Sequence, residues 1–249
     1  MAGSENFLFG VNPVLEQLRG APHAIREILI ADSAQRAQTA LIAKEAKERG
    51  IRVMTVNPRA LDRFAAGNRH QGVVARVEPH PYLSLGDMLK NLGPAATAQT
   101  ILILDGLTDP RNFGALLRTA DGAGVRYVVI GKDRSAPVTP VVAKAAAGAT
   151  SHIDVVRVTN LRRALVALKE IGYWVIGLDA RAQQTIFDHS YPPRLAVVLG
   201  SEGAGLRPLT MRECDLRVSV PMLGQVASLN VSVAGAVFLY EIVRQRRKS

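Results

Sequence analysis

Residues 195–245 read LAVVLGSEGAGLRPLTMRECDLRVSVPMLGQVASLNVSVAGAVFLYEIVRQ, and the punctuation of this stretch decides the fold. The apolar run 195–199 has the length and composition of a buried strand. It stops at Gly200-Ser201-Glu202-Gly203-Ala204-Gly205, a turn whose backbone can come very close to another group. A second strand, 216–220, stops at Pro221-Met222-Leu223-Gly224. Ser228-Leu229-Asn230 then opens a long apolar helix, with Ser228 or Asn230 as its N-cap. Two strand ends and a helix start therefore lie close in sequence. Ligands of open α/β sheets sit beyond the carboxyl ends of the strands, so a pocket is expected here.

Working outward, 249 residues suffice for one large domain or two small ones. A single cysteine, Cys214, leaves no disulfide framework and no paired-cysteine metal site, and no metal is expected. The N-terminus MAGSENFLFG lacks the basic and apolar regions of an export signal. No apolar run approaches the roughly 20 residues of a membrane span, so a soluble cytoplasmic protein is expected. The formal charge is +10. Residues 1–80 hold 11 basic and 8 acidic side chains, and residues 96–249 hold 19 and 12. Excess positive charge favours polyanions through counterion release. Arginine dominates the basic residues and adds bidentate and stacking contacts. Solubility or an arginine-rich genome would give the same composition.

Upstream the chain alternates. Asn12-Pro13 signals a helix over 14–19, 27–31 reads as a strand, and Ser33 caps a helix over 34–49. A strand at 51–56, a short helix after Asn57-Pro58 ending near Ala66, and a strand at 73–77 complete a small α/β module. Residues 78–100 break the pattern with prolines and glycines, leaving room for one short helix at 85–92. The second module offers strands at 101–104, 126–130, 153–156 and 173–178. Helices are expected at 112–123 and 140–147, and from Thr159 or Asn160 through Glu170. The strands are apolar throughout, as in a mostly parallel sheet covered on both faces.

Three segments carry the chemistry. In the first, 104–120, a strand ends in a polar turn and Asn112 starts a helix that bears Arg118 among Ala115, Leu116, Leu117 and Ala120. The two side chains are six residues apart, on different faces of an ideal helix. With Asn112 at the cap, both could still border one cleft. The second segment, 199–206, is neither a dinucleotide fingerprint nor a P-loop. Glu202 there could serve simply as a carboxylate at a helix start. In the third, 220–231, irregular backbone could read an adenine edge between Leu223 and Leu229 as apolar walls. Core packing and helix capping would also account for these residues.

Together DPRNFGALLRTADGAGV (109–125), VVLGSEGAGL (197–206) and VPMLGQVASLNVSVA (220–234) resemble the three signature motifs of the SpoU/TrmH RNA ribose 2′-O-methyltransferases, in the SPOUT superfamily. FGVNPVLEQL (9–18), HQGVVARV (70–77), KDRSAPVTPVVAKAAAGA (132–149) and VTNL (158–161) extend the resemblance to family members that act on 23S rRNA. It covers nearly the whole chain. Position 227 is Ala where many relatives carry a polar residue.

The resemblance implies an L30e-like RNA substrate-binding domain over 1–78, a linker over 79–98, and a SPOUT methyltransferase domain over 99–249. The latter would hold a mostly parallel sheet and a C-terminal trefoil knot, threaded by the helix after Asn230. It also implies a homodimer that methylates a guanosine 2′-hydroxyl of 23S rRNA, in the peptidyl-transferase loop, using S-adenosylmethionine. Arg118, Asn112, Glu202, Ser228 and Asn230 would form the catalytic set. Gly200, Ser201, Gly203, Val220, Pro221, Met222, Leu223, Leu229 and Asn230 would hold the cofactor. Arginine is ordinarily protonated, so whether Arg118 acts as base or binds a phosphate stays open. A tRNA substrate is the alternative within the class, but residues 5–77 favour rRNA. A non-catalytic rRNA-binding or assembly protein is the alternative outside it, and the intact Asn112, Arg118, Glu202 and Asn230 argue against that. A nucleotide-dependent oxidoreductase lacks its fingerprint.

Overall fold

The structure is a computed structural model that describes residues 6–20, 22–34, 37–65, 70–78, 80–92 and 98–247. Ala66, Gly93, Pro94 and Lys248, on which parts of the sequence reading fell, lie outside these. The chain divides into two units, Met1–His80 and Pro81–Ser249.

In the first unit, strand β1 (Asn6–Phe9) leads into helix α1 (Val11–Gly20). Strand β2 (Ile25–Ala31), helix α2 (Ala37–Glu48), β3 (Arg52–Val56), α3 (Pro58–Ala65) and β4 (Val73–Val77) follow. The sheet order is β1-β4-β2-β3, with β2 parallel to β3 and β4 antiparallel to both its neighbours. Several starts differ from the sequence reading. β1 was not expected as a strand. It forms because Phe7–Phe9 pair with Val74–Arg76 along the edge of β4. α1 begins at Val11, which places Asn12-Pro13 inside its first turn, where a proline costs no hydrogen bond. Ser33 does not cap α2: residues 32 and 33 form a turn, held by Ala31 N–H to Gly72 O and Asp32 N–H to Val56 O. Residue 34 is likewise outside the helix.

In the second unit, helix α4 (Leu85–Asn91) is capped by Ser84, whose hydroxyl accepts from Asp87 N–H. Residues 81–92, expected in the linker, fold onto this unit: Met88 is fully buried and Leu83 bridges to Val156. Their apolar residues recur at helical spacing, and that outweighs the flanking prolines. β5 (Gln99–Asp105), α5 (Pro110–Gly122), β6 (Tyr127–Gly131), α6 (Pro140–Ala146) and β7 (Asp154–Val158) come next. α7 (Leu161–Glu170), capped by Asn160, precedes β8 (Trp174–Leu178) and β9 (Arg194–Gly200). α8 (Pro208–Glu213), β10 (Leu216–Val218) and α9 (Val231–Arg246) complete the unit. The six strands run in the order β10-β8-β9-β5-β6-β7, every pair parallel.

Strand geometry sends successive side chains to opposite faces, and this sheet buries both. Leu102 and Leu104 of β5 and Leu195, Val197 and Leu199 of β9 pack with Phe113, Leu116 and Leu117 of α5 and Phe238, Leu239 and Ile242 of α9. Ile101, Ile103, Ala196 and Val198 face the other layer, with Leu161, Leu165 and Leu168 of α7 and Met88 of α4. After β5 the chain turns into one layer as α5. After β9 it turns into the other, where Met211 of α8 packs. β5 and β9 are neighbours, so their carboxyl ends diverge and open a crevice, the usual ligand position of such sheets.

Candidate active site

The crevice is built from the three segments singled out above. Helix α5 is capped by Asp109, not Asn112: its carboxylate accepts from Asn112 N–H at 2.8 Å, with Pro110 in the first turn. Asn112 is thereby freed from capping, and its side chain points across the crevice. At the end of β9 the chain folds back on itself. Ser201 and Gly205 exchange both backbone hydrogen bonds at 3.0 Å, with Glu202 in the turn between them. This return needs glycine at 200, where a Cβ would stand 2.1 Å from the Gly205 carbonyl carbon. The turn is held again from behind. Arg207 donates its backbone N–H to the fully buried Asp105 at 2.9 Å, and its guanidinium pairs with the same carboxylate. Asp105 ends β5, opposite Gly200.

Asn230 caps α9, which resolves the choice between it and Ser228. Its Oδ1 accepts from Ser232 N–H at 2.9 Å and from the Ser232 hydroxyl at 2.6 Å. With the carbonyl side so engaged, the amide side must face outward. Its Nδ2 donates to Glu202 Oε1 at 2.8 Å and to Asn112 Oδ1 at 3.1 Å, and Asn112 Nδ2 donates to the same Glu202 oxygen at 2.6 Å. Three side chains from distant segments thus close one hydrogen-bonded triangle. Glu202 Oε2 carries no hydrogen bond among the described residues.

Beside the triangle lies a cavity of about 400 Å³. Of the residues expected to hold the cofactor, Gly200, Ser201, Gly203, Val220, Met222, Leu229 and Asn230 line it, together with Glu202 and Ser228 of the expected catalytic set. Pro221 and Leu223 do not: Leu223 is fully exposed on the irregular loop after β10. Leu178 and Ala180, at the carboxyl end of β8, line it too, and so does Ala227. The rule that placed the pocket beyond two strand ends would have found a third had 173–178 been included. Ser232 also escaped the sequence reading, and serine two residues past a cap asparagine was its only signal. Arg118 lies six residues along α5 from Asn112, about 9 Å by the helical rise, and is exposed. It makes no hydrogen bond or ion pair among the described residues.

The arrangement suits a nucleoside-sized ligand. The volume falls in the range of small-molecule sites, the walls are largely aliphatic, and two irregular loops contribute to the lining. Among the described residues Glu202 is the one charged side chain of the lining, so a ligand carrying a positive charge would find its counter-charge there.

The crevice thus lies beyond the carboxyl ends of a parallel sheet, with the amide–carboxylate triangle at its mouth. Residues 99–240 match the SpoU rRNA Methylase family and residues 7–83 match RNA 2′-O ribose methyltransferase substrate binding, so the chain belongs to the SpoU methylase family. It is 41% identical to the Vibrio vulnificus 23S rRNA (guanosine-2′-O-)-methyltransferase RlmB, over 99% of each chain. It is 42% identical to a Staphylococcus epidermidis putative TrmH family tRNA/rRNA methyltransferase, over 91% of this chain and 90% of that one. The SpoU methyltransferase AviRb of Streptomyces viridochromogenes, solved with the cofactor AdoMet, superposes with a TM-score of 0.66 at 25% identity, over 98% of this chain and 91% of that one.

Proposed function

We propose that this protein transfers the methyl group of S-adenosylmethionine to the ribose 2′-hydroxyl of a guanosine in 23S rRNA. The observation that carries the reading is the convergence of Asn112, Glu202 and Asn230, from three separate motifs, at the mouth of a nucleoside-sized cavity. Near-identical length and 41% identity to an enzyme named for that reaction supply the substrate.

S-adenosylmethionine, when bound, supplies an activated methyl group on a cationic sulfur. Its adenosine part suits the walls formed by Leu178, Val220, Met222 and Leu229, and its charge suits Glu202. The chain must position the ribose and dispose of the hydroxyl proton, because an alcohol is a poor nucleophile. Glu202 is held by two amides on one oxygen, which leaves Oε2 to orient the ribose or Arg118. Ser228 and Asn230 complete the edge of the site. Arg118, exposed and without a partner among the described residues, is assigned the incoming nucleotide: it steadies the phosphate beside the reacting hydroxyl. Correct placement accounts for much of such a transfer, so small displacements matter.

The same reading assigns RNA binding to the first unit and methyl transfer to the second. It includes a homodimer, a knotted C-terminal passage and a cytoplasmic location. Val233 and Tyr240 leave an apolar face on α9 about half exposed, which suits a second copy. Among the described residues no helix is long and apolar enough to cross a membrane.

The test is methyl transfer from labelled S-adenosylmethionine to 23S rRNA and to tRNA, both from a strain lacking the enzyme, followed by mass mapping. A single 2′-O-methylguanosine in 23S rRNA is the expected product. Label in tRNA alone would overturn the substrate. Absence of label in both, with cofactor bound, would overturn the catalytic reading on free RNA.

A further inference from the structure

The loop after β6 holds two cations that the reaction does not use. Lys132 and Arg134 are exposed, and neither side chain has an ion pair or hydrogen bond among the described residues. Elsewhere in this unit many cations are matched: Arg126 with Asp154, Arg162 with Glu213, Lys169 with Asp215 and Arg217 with Asp179. Unmatched cations on a loop that borders the cavity wall suit a polyanion contact.

The loop is not a loose one. Lys132 N–H donates to Val158 O at 2.7 Å, and Arg157 reaches Lys132 O at 3.2 Å from the β7 side. Ala136 N–H donates to Leu107 O at 2.8 Å on the side of the β5 loop. Between these staples Arg134 adopts a φ of +59°, a left-handed conformation uncommon outside glycine. Its place relative to the site is fixed by Gly106. That residue has a φ of +82°, and a Cβ there would lie 3.9 Å from Arg134 O and 3.9 Å from Ser201 Cβ. Gly106 is therefore flanked by the cationic loop on one side and by a wall of the cofactor cavity on the other.

We propose that residues 132–134 form a phosphate clamp that holds the RNA backbone next to the reacting nucleotide. The inference rests on the RNA-methylating reading and adds the residues that seat the strand. Asp133 sits between the two cations and is exposed as well, so it opposes the clamp and sets its strength.

The experiment measures RNA affinity directly, by fluorescence anisotropy of a labelled 23S rRNA fragment on the full-length protein across a salt series. Each phosphate contact to single strands steepens the dependence of log affinity on log salt by about 0.7. Lys132→Ala with Arg134→Ala is expected to flatten the slope by about 1.4 and to weaken binding about tenfold near 0.1 M salt. S-adenosylhomocysteine affinity should not change. Asp133→Asn is expected to tighten RNA binding two- to threefold, an effect of opposite sign that misfolding cannot produce. Arg212→Ala, at an exposed cation within the last turn of α8, serves as the control and should leave the slope unchanged. An unaltered slope in the double variant, or an equal effect from Arg212→Ala, would overturn the clamp. Because binding is read without turnover, a wild-type protein that binds RNA but methylates none would refute the proposed function while the clamp is still decided.

Discussion

Glu202 shows how much one side chain depends on its neighbours. Glu202→Gln retains the size of the side chain and one acceptor oxygen for the two asparagine amides, but removes the charge. If the charge serves the reaction, turnover falls about 100-fold with little change in melting temperature, a loss typical of removing one preorganised electrostatic group. Near-normal kcat would show that only the triangle's geometry counts. Arg118→Ala is expected to abolish methyl transfer while RNA affinity stays within about threefold, the share of a single exposed phosphate contact; normal turnover would refute its assignment. Cys214 makes the contrasting case. Burial, reinforced by the neighbouring Asp215, pushes its thiol up to about 12 from an ordinary 9.0. A raised value means that the folded state holds the proton more tightly. The stabilisation is therefore complete below about pH 9 and is lost as pH rises towards 12. Native protein at pH 8 should resist alkylation that the unfolded chain undergoes readily, and rapid native labelling would contradict the burial. At this scale the sequence singled out candidate residues but not their partners. The sequence reading began this helix at Asn112, and proline in the first turn was the overlooked cue favouring Asp109. That Asn112 meets Glu202 and Asn230 depends on contacts 90 and 118 residues away, which no local pattern encodes.

Among the elements, the turn after β9 bears the tightest constraint. Gly200→Ala would drive a methyl group into the Gly205 and Leu206 backbone, at 2.1–2.4 Å, where no side chain can rotate away. Overpacking of this kind costs about 1–3 kcal/mol, and the turn carrying Glu202 would shift. Both a lower melting temperature and lost methylation are expected; full activity would mean that the turn tolerates another path. The core strands of the second unit were legible because they are apolar on both faces, which only a covered parallel sheet explains. β1 was not, since four residues without alternation become a strand only when β4 offers its edge. α8 was overlooked although Pro208 stands at its start, because the segment was weighed only as the link between two motifs. The strand order, with β9 inserted beside β5, lies beyond any local signal. It is set by which layer each following helix covers.

At the scale of the molecule, each unit is built around its own apolar core. Val14, Leu18, Ile28 and Ile42 anchor the first, and Leu102, Phe113, Val197 and Phe238 anchor the second. Such units are expected to fold separately. Their charges differ as well: residues 1–80 carry 11 basic against 8 acidic side chains, and residues 96–249 carry 19 against 12. A chain beginning at Pro81 keeps the cavity, the triangle and the cationic loop, all of which lie within residues 105–234. It should therefore bind S-adenosylhomocysteine within about twofold of the full protein. Its affinity for 23S rRNA should drop far more, because the lost unit removes both net positive charge and the segment matching a substrate-binding family. The two affinities, measured by calorimetry for the cofactor product and by anisotropy for the RNA, separate the roles. If the truncated chain methylates rRNA as well as the intact one, the first unit does not select the substrate, and RNA choice resides in the catalytic unit and its clamp.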